Sequence, residues 1–208
     1  MIVRRPGGFT LVEVLIALAL SAMLAVGVAR LLAGGRGAAR ATSARSDATL
    51  SLELGADLLT REVRRAGYVP YPPQTGVTLD SSGALELWLR PQRPTGDRLA
   101  IRYVDDRLSG GPIARDLSFE ADVDGRGIHQ LYRASAAGSR QPLVEGVAAL
   151  IVSGWVDAGG LHARSALTPG TLDPWLLLLR LRAPGAAAAR TVAIPLPSRP
   201  HALVRVLP

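Results

Sequence analysis

The sequence predicts an α+β fold, in which a long N-terminal helix is followed by an antiparallel β-sheet. Three observations predict it: an apolar run near the N-terminus, helical periodicity that resumes at about residue 50, and alternation of apolar and polar residues from residue 76 onward. The first half of the helix is predicted to cross a membrane, and the second half to pack on the sheet.

The apolar run covers residues 9–32 of the 208-residue chain. A helix of that length is about 36 Å long, which is enough to cross the hydrocarbon core of a bilayer. Arg4 and Arg5 precede the run, so we expect the N-terminus to stay in the cytoplasm and the bulk of the chain to be exported. The polar or charged residues within the run are Thr10, Glu13, Ser21 and Arg30.

Glu13 is unusual for a membrane span, because a carboxylate inside a bilayer costs about 2.5–3.5 kcal/mol on insertion scales. A cleaved signal peptide would have a shorter apolar region followed by small residues. Here the small residues, Gly7 and Gly8, come before the run. A plain membrane anchor fits the length of the run but leaves Glu13 unexplained.

The stretch GFTLVE at residues 8–13, followed by VLIA, resembles the class III signal of type IV prepilins and type II secretion pseudopilins. The resemblance implies that a prepilin peptidase cleaves after Gly8 and that the new N-terminal residue, Phe9, is N-methylated. Glu13 would then be the fifth residue of the mature chain and would pair with the N-terminal amine of a neighbouring subunit. A buried charge is tolerated when it is paired. The alternative is a glutamate solvated among lipid headgroups.

The predicted domains are a leader peptide at residues 1–8, a transmembrane half-helix at 9–33, a second half-helix at 34–68 and a β-rich domain at 69–208, which would lie in the periplasm or outside the cell. Gly34, Gly35 and Gly37 each cost about 1 kcal/mol in a helix, so we expect the helix to loosen between the two halves. Gly67 is predicted to end the helix, with prolines following.

The second half-helix carries one clear apolar face and a second apolar stripe roughly opposite it. The second stripe suits either neighbouring subunits or an ordinary core. The face is formed by Leu52, Ala56, Leu59, Val63 and Ala66, and the stripe by Leu50, Leu54 and Leu58. The ending REVRRAGY resembles the helix end of PilW-type minor pilins and J-type pseudopilins, although many PilW-like chains have cysteines beyond this point and this chain has none.

Six to eight strands with short turns are predicted after residue 76, so the sheet should be antiparallel. The segments LSFEADV and IHQLYRA flank DGRG at residues 124–127 and predict a hairpin. Residues 142–157 resemble a strand entry of J-type pseudopilins and PilW-like proteins.

The composition gives little support to other functions. All 24 basic residues are arginine, and they are scattered along the chain, so the net charge of +7 permits but does not indicate nucleic-acid binding. The absence of cysteine excludes disulfides and thiolate metal sites.

The sequence gives equally little support to a catalytic or metal-binding site. The stretch EADVDG at residues 120–125 resembles the start of a calcium loop, but its twelfth position is Leu131 rather than glutamate. His129, His162 and His201 lack ligand spacing. We therefore expect no catalytic residue, no metal, no cofactor and no enzyme.

The sequence thus predicts a structural subunit, with a minor pilin of a type IV pilus as the first expectation. Its partners would be the prepilin peptidase, other pilins or pseudopilins and an inner-membrane assembly platform. It would cross the bacterial inner membrane once and would reach the cell surface in an assembled pilus. The alternatives are a J-type pseudopilin of type II secretion, a DNA-binding minor pilin for competence, and a signal-anchored envelope protein that never polymerises.

Overall fold

The computed structural model describes residues 10–70, 82–105, 112–186, 188–198 and 200–207. Helix α1 extends over Leu11–Val63, a length of 53 residues. The chain divides into two compact units, residues 1–44 and residues 45–208, which are called here the first unit and the second unit.

The first unit is helical from Leu11 onward. Gly34, Gly35 and Gly37 all lie within α1, so the loosening expected there is not observed. The backbone hydrogen bonds of a helix need no side chains, and a cost of about 1 kcal/mol per glycine lowers helix stability without dictating a break.

The described part of the second unit contains the end of α1, eleven strands and two short 3-10 turns at Arg164–Ala166 and Pro184–Ala186. The strands are β1 (Ser82–Leu89), β2 (Arg98–Asp105), β3 (Ile113–Val123), β4 (His129–Ser135), β5 (Arg140–Glu145), β6 (Ala149–Asp157), β7 (Gly160–Ala163), β8 (Gly170–Leu172), β9 (Leu176–Arg182), β10 (Ala189–Pro195) and β11 (His201–Val206).

These strands form two sheets rather than one. A seven-stranded sheet has the order β5-β4-β3-β2-β1-β11-β8, and a four-stranded sheet has the order β10-β9-β6-β7. Neighbouring strands are antiparallel except β1 and β11, which are parallel. The predicted α+β class with mainly antiparallel pairing is confirmed. The single sheet of six to eight strands is wrong, because the described residues form eleven strands in two sheets.

One hydrophobic core joins α1 to both sheets of the second unit. The predicted helix face is confirmed, since Leu52, Ala56, Leu59, Val63 and Ala66 are all buried. On the opposite stripe, Leu58 is partly buried, whereas Leu50 and Leu54 are 66% and 50% exposed. The strand alternation also holds, because the inward-facing leucines of β1 and β2 are buried and the residues between them are more exposed.

The loop between β1 and β2 fastens the two sheets together. The N–H of Asp97 donates to the carbonyl of Leu150 at 2.7 Å, and the N–H of Leu150 donates to the carbonyl of Thr95 at 3.1 Å. Gly96 lies between them with φ +83°, in the left-handed region that favours glycine. The β1–β2 loop of the larger sheet thereby pairs with β6 of the smaller one.

Helix α1 ends at Val63, and a hydrogen-bonded turn continues to Gly67. Gly67 has φ +73°, and its N–H donates to the carbonyl of Arg102 in β2 at 2.8 Å. The turn therefore attaches the end of the helix to the seven-stranded sheet.

Candidate functional site

The first turn of α1 places Glu13 next to a helix cap. The N–H of Glu13 donates to Oγ1 of Thr10 at 3.3 Å and to the carbonyl of Thr10 at 3.1 Å. Thr10 therefore caps the helix, and Thr10 and Glu13 have the spacing of a capping box. A carboxylate in the first turn also interacts favourably with the helix dipole, by about 0.3–1 kcal/mol at exposed positions.

Thr10 was missed as a cap in the sequence, although a threonine three residues before a glutamate at the start of an apolar run is a readable signal. Glu13 itself is exposed and forms no ion pair with any residue that the structure describes. Its pairing with the amine of a neighbouring subunit stays a prediction. Gly8 and Phe9, the predicted cleavage and methylation positions, lie outside the described residues and also stay predictions.

The apolar part of the first unit is uncovered. Every residue from 10 to 44 is exposed, including large side chains such as Leu11 at 78%, Met23 at 75% and Leu31 at 77%. Soluble proteins rarely expose apolar surface of this extent. By length and composition α1 is the one described helix able to cross a membrane, although no membrane is present in the structure. This surface needs a lipid or protein environment.

The carboxylates of the second unit that resembled a calcium loop have other partners. Asp124 accepts hydrogen bonds from the N–H groups of Arg126 and Ile128, both at 2.8 Å, which fixes the β3–β4 turn. Asp122 accepts from Arg140 at 2.7 Å. Within the described ranges no group of three His, Cys, Asp or Glu residues is placed to hold a metal.

Two of the three histidines contact carboxylates. The His162 ring contacts Asp157 at 2.8 Å and stacks on Trp155 with ring centroids 4.7 Å apart. His201 contacts Asp173. His162 lies in β7 and His201 in β11, and His129 begins β4.

Asp157 is the most connected carboxylate at this end of the smaller sheet. Its oxygens accept hydrogen bonds from the Trp155 indole at 3.0 Å and from the Gly159 N–H at 2.8 Å, in addition to the His162 contact. The Trp155 bond first, then those of His162 and Gly159, lower the pKa of Asp157. These contacts join β6 and β7 and hold their connecting turn.

A shallow groove of about 200 Å³ lies on the face of the seven-stranded sheet opposite the core. Its floor is a row of small residues, Ala100, Ser118 and Ala134, in register on β2, β3 and β4. On its rim, Arg102 pairs with Asp116 at 2.6 Å. These two charged groups on the rim thus neutralise each other.

Trp88 lies on the same face between two arginines. The guanidinium groups of Arg98 and Arg205 lie 5.6 Å and 5.2 Å from its ring centroid, distances typical of cation–π contacts. The Trp88 indole donates to Glu86 at 3.0 Å. The arrangement packs the side chains of β1, β2 and β11 against each other.

The comparisons with known proteins agree with the geometry of the first unit. Together, the capped apolar helix and the sheets define an α+β protein with one helix long and apolar enough to cross a membrane among the described residues. A family model described as "Prokaryotic N-terminal methylation motif" matches residues 3–29. The chain therefore carries the type IV pilin and pseudopilin signature, joined to a long N-terminal apolar helix. No curated protein matches the chain significantly.

The motif has direct consequences. It implies processing by a prepilin peptidase and assembly with other pilins in a membrane system. Together with the apolar helix, it indicates membrane anchoring. The match includes Gly8, Phe9 and Glu13, and it ends before the β-rich unit begins.

Proposed function

We propose that the chain is a minor pilin, a non-enzymatic structural subunit of a type IV pilus that acts at the start of assembly or at the tip. The observation that carries the proposal is the methylation motif at residues 3–29 together with a helix whose apolar side chains between residues 11 and 44 are all exposed. A second unit with two sheets and a varied surface suits a specialised subunit.

In the proposed pathway, the leader with Arg4 and Arg5 stays in the cytoplasm and is removed after Gly8. The new amine at Phe9 is methylated. The carboxylate of Glu13 then pairs with the amine of the adjacent subunit. This pairing stabilises the correctly docked subunit, because an unpaired charge in the bilayer is costly. The capping contact with Thr10 supports this role, since it fixes the backbone of the helical turn that carries Glu13.

Two arginines on the seven-stranded sheet already have carboxylate partners, which argues against the DNA-binding alternative at those positions. Arg102 pairs with Asp116, and Arg140 contacts Asp122. DNA binding through phosphates needs arginines available for counterion release. Paired arginines on the sheet are less suited to that.

The first experiment is mass spectrometry of the mature N-terminus, with the protein expressed alongside an active prepilin peptidase. We expect a chain that begins at Phe9 and is one methyl group heavier than the unmodified peptide. The Gly8→Val variant serves as the control and should keep its leader. A wild-type chain that still begins at Met1, or that is cut beyond Leu32, would refute the proposal.

The second experiment separates processing from assembly. Glu13→Gln keeps the size of the side chain and removes its charge, so we expect normal cleavage and methylation but loss from the sheared filament fraction. Glu13→Asp should retain part of the incorporation. Equal incorporation of wild type and Glu13→Gln would remove the proposed role of the carboxylate.

The same filament preparations distinguish a minor pilin from a J-type pseudopilin. Co-purification with surface pili supports the minor pilin, whereas crosslinking only to pseudopilins of a secretion system supports the alternative. Fusion of a periplasmic reporter enzyme to the C-terminus tests the orientation, since activity requires export of the second unit.

A further inference from the structure

Two arginines, Arg36 and Arg40, lie in α1 just beyond the apolar run, which ends at Leu32. The sequence contains no aspartate or glutamate between Glu13 and Asp47. Neither arginine forms an ion pair or side-chain hydrogen bond with any residue in the described ranges. The helix therefore carries an uncompensated positive patch at this level.

The two side chains share one face of the helix. They are four residues apart, which places them about 6 Å apart along the axis, and like charges at this spacing repel by about 0.2–0.5 kcal/mol. Around them, a Cβ added at Gly34, Gly35 or Gly37 would meet nothing within 4 Å. Arg36 and Arg40 are themselves exposed, so both side chains are accessible to an external anion, and a shared anion would relieve their repulsion.

The position of the pair along the helix identifies its surroundings. A helix from Leu11 to Leu32 is about 33 Å long and fills the hydrocarbon core of about 30 Å. Arg36 lies about 6 Å beyond Leu32 along the axis, at the outer edge of a headgroup layer about 5–8 Å thick. Arg40 lies about 12 Å beyond Leu32, and its long side chain reaches back to the same layer because helical side chains lean toward the N-terminus. Arg30, just inside the core, has a stem long enough to reach the same layer.

The proposed orientation makes this patch unusual. Short loops on the exported side generally carry fewer arginines and lysines than cytoplasmic ones. An arginine pair on the exported side therefore opposes the usual bias, and pairing with an anion at that surface would offset its charge. A phosphate group is the anion that is always present at this depth.

We propose that Arg36 and Arg40 bind the phosphate of an anionic phospholipid in the leaflet at the C-terminal end of the span. The inference rests on the proposed function in requiring that α1 crosses a membrane with its C-terminal end on the exported side. The guanidinium fork donates two parallel hydrogen bonds to a phosphate, and two forks one turn apart enclose it from both sides. The contact fixes the depth of the helix in the bilayer and holds a subunit at that depth until it is extracted.

The test measures lipid binding by the full chain, purified in a mild neutral detergent. Native mass spectrometry counts bound phosphatidylglycerol and bound phosphatidylcholine in a titration with each lipid. Each arginine near an anionic headgroup contributes about fivefold in affinity, so we expect Arg36→Gln/Arg40→Gln to weaken phosphatidylglycerol binding by about 25-fold. Phosphatidylcholine binding should not change.

A matched control variant loses the same two positive charges at positions far from Arg36 and Arg40 in the sequence. Arg64 and Arg126 are exposed arginines of the second unit, and Arg64→Gln/Arg126→Gln should bind phosphatidylglycerol like wild type. Arg36→Lys/Arg40→Lys keeps both charges but loses the guanidinium fork, so its affinity for phosphatidylglycerol should lie between those of wild type and Arg36→Gln/Arg40→Gln. Tryptophan fluorescence verifies that every variant remains folded.

Three outcomes would overturn the proposal: equal affinity of wild type for the two lipids, unchanged binding by Arg36→Gln/Arg40→Gln, or the same loss in the control variant. Displacement of the lipid by millimolar inorganic phosphate would also overturn it, since the site would then recognise a soluble anion. The intact mass of the same sample reports the N-terminus. A failed lipid test with a correctly processed chain therefore refutes this inference alone.

Discussion

The buried carboxylate of Asp97 offers the sharpest test of how the second unit is held together. Its side chain is fully buried and accepts hydrogen bonds from the N–H groups of Arg90 at 2.9 Å and Val152 at 2.8 Å. Arg164 donates to both carboxylate oxygens and to the carbonyl of Val152. The Asp97 hydrogen bond raises the pKa of Arg164, which stays charged. One carboxylate thus joins both sheets and a 3-10 turn.

The expected loss in the free energy of unfolding depends on which buried groups each variant leaves without a partner. Asp97→Ala leaves two backbone donors without an acceptor, at about 1–3 kcal/mol each. It also removes the partner of Arg164, whose side chain is 31% exposed and regains part of its hydration. Breaking a buried pair costs about 3–5 kcal/mol, so we expect a loss of about 4 kcal/mol in the free energy of unfolding. Asp97→Asn keeps one acceptor oxygen and should lose about half of that.

The assay is urea unfolding of the full chain in detergent, followed by tryptophan fluorescence. Trp88, Trp155 and Trp175 all lie in the second unit, so the signal reports this unit specifically. A double-mutant cycle with Arg164→Met should give a coupling of about 1–3 kcal/mol between the two positions. A loss below about 1 kcal/mol in Asp97→Ala, or no coupling in the cycle, would refute the reasoning.

Three further outcomes are expected from the second unit. Gly96→Ala should unfold much more readily than wild type in the same urea assay, because its Cβ would lie 2.2 Å from a backbone carbonyl oxygen of β6 at a φ of +83°. Leu59→Ala should lower the free energy of unfolding by about 3 kcal/mol, whereas Leu50→Ala, at a position 66% exposed, should change it little. The pKa of Asp157 is lowered, chiefly by the Trp155 indole, so the unfolded chain protonates first as the pH falls. Stability should therefore fall below about pH 4 in wild type and less steeply in Asp157→Asn, as measured by thermal unfolding between pH 2 and pH 6.

The parts of the fold that the sequence could predict are those with a local period. The face of α1 that includes Leu52 and Leu59 repeats at helical spacing, and the β1 residues Leu85 and Leu87 alternate at strand spacing, so burial on one side could be expected for each. The turn at residues 124–127 has strong turn residues between two such strands.

The missed parts depend on contacts between distant segments. Strands β7 and β8 have four and three residues, too few to show a period. Strand β11 pairs in parallel with β1, more than a hundred residues earlier, and nothing in its own residues signals that partner. The division into two sheets depends partly on Asp97, a single polar residue whose contacts at residues 152 and 164 lie far along the chain.

The methylation motif could be recognised in the sequence for a different physical reason. A processing signal is a linear motif that an enzyme reads in sequence, and Glu13 stands out because its charge conflicts with its apolar surroundings. Arg36 is a weaker signal in the sequence, because the residues around it are not all apolar. It lies beyond the apolar run, where an arginine in water would need no explanation, and it becomes informative only once the helix is seen to continue through the glycines.

Some charged side chains of the two units differ in how their charge is compensated, and this difference bears on how a filament would use them. In the second unit, Asp97 and Arg102 have partners within the unit. In the first unit, Glu13 and Arg36 have none among its described residues. A charge without an internal partner responds to its environment, because pairing with an external group changes its free energy by kilocalories. We therefore expect charge substitutions in the first unit to alter insertion and assembly, and those in the second unit to alter folding first.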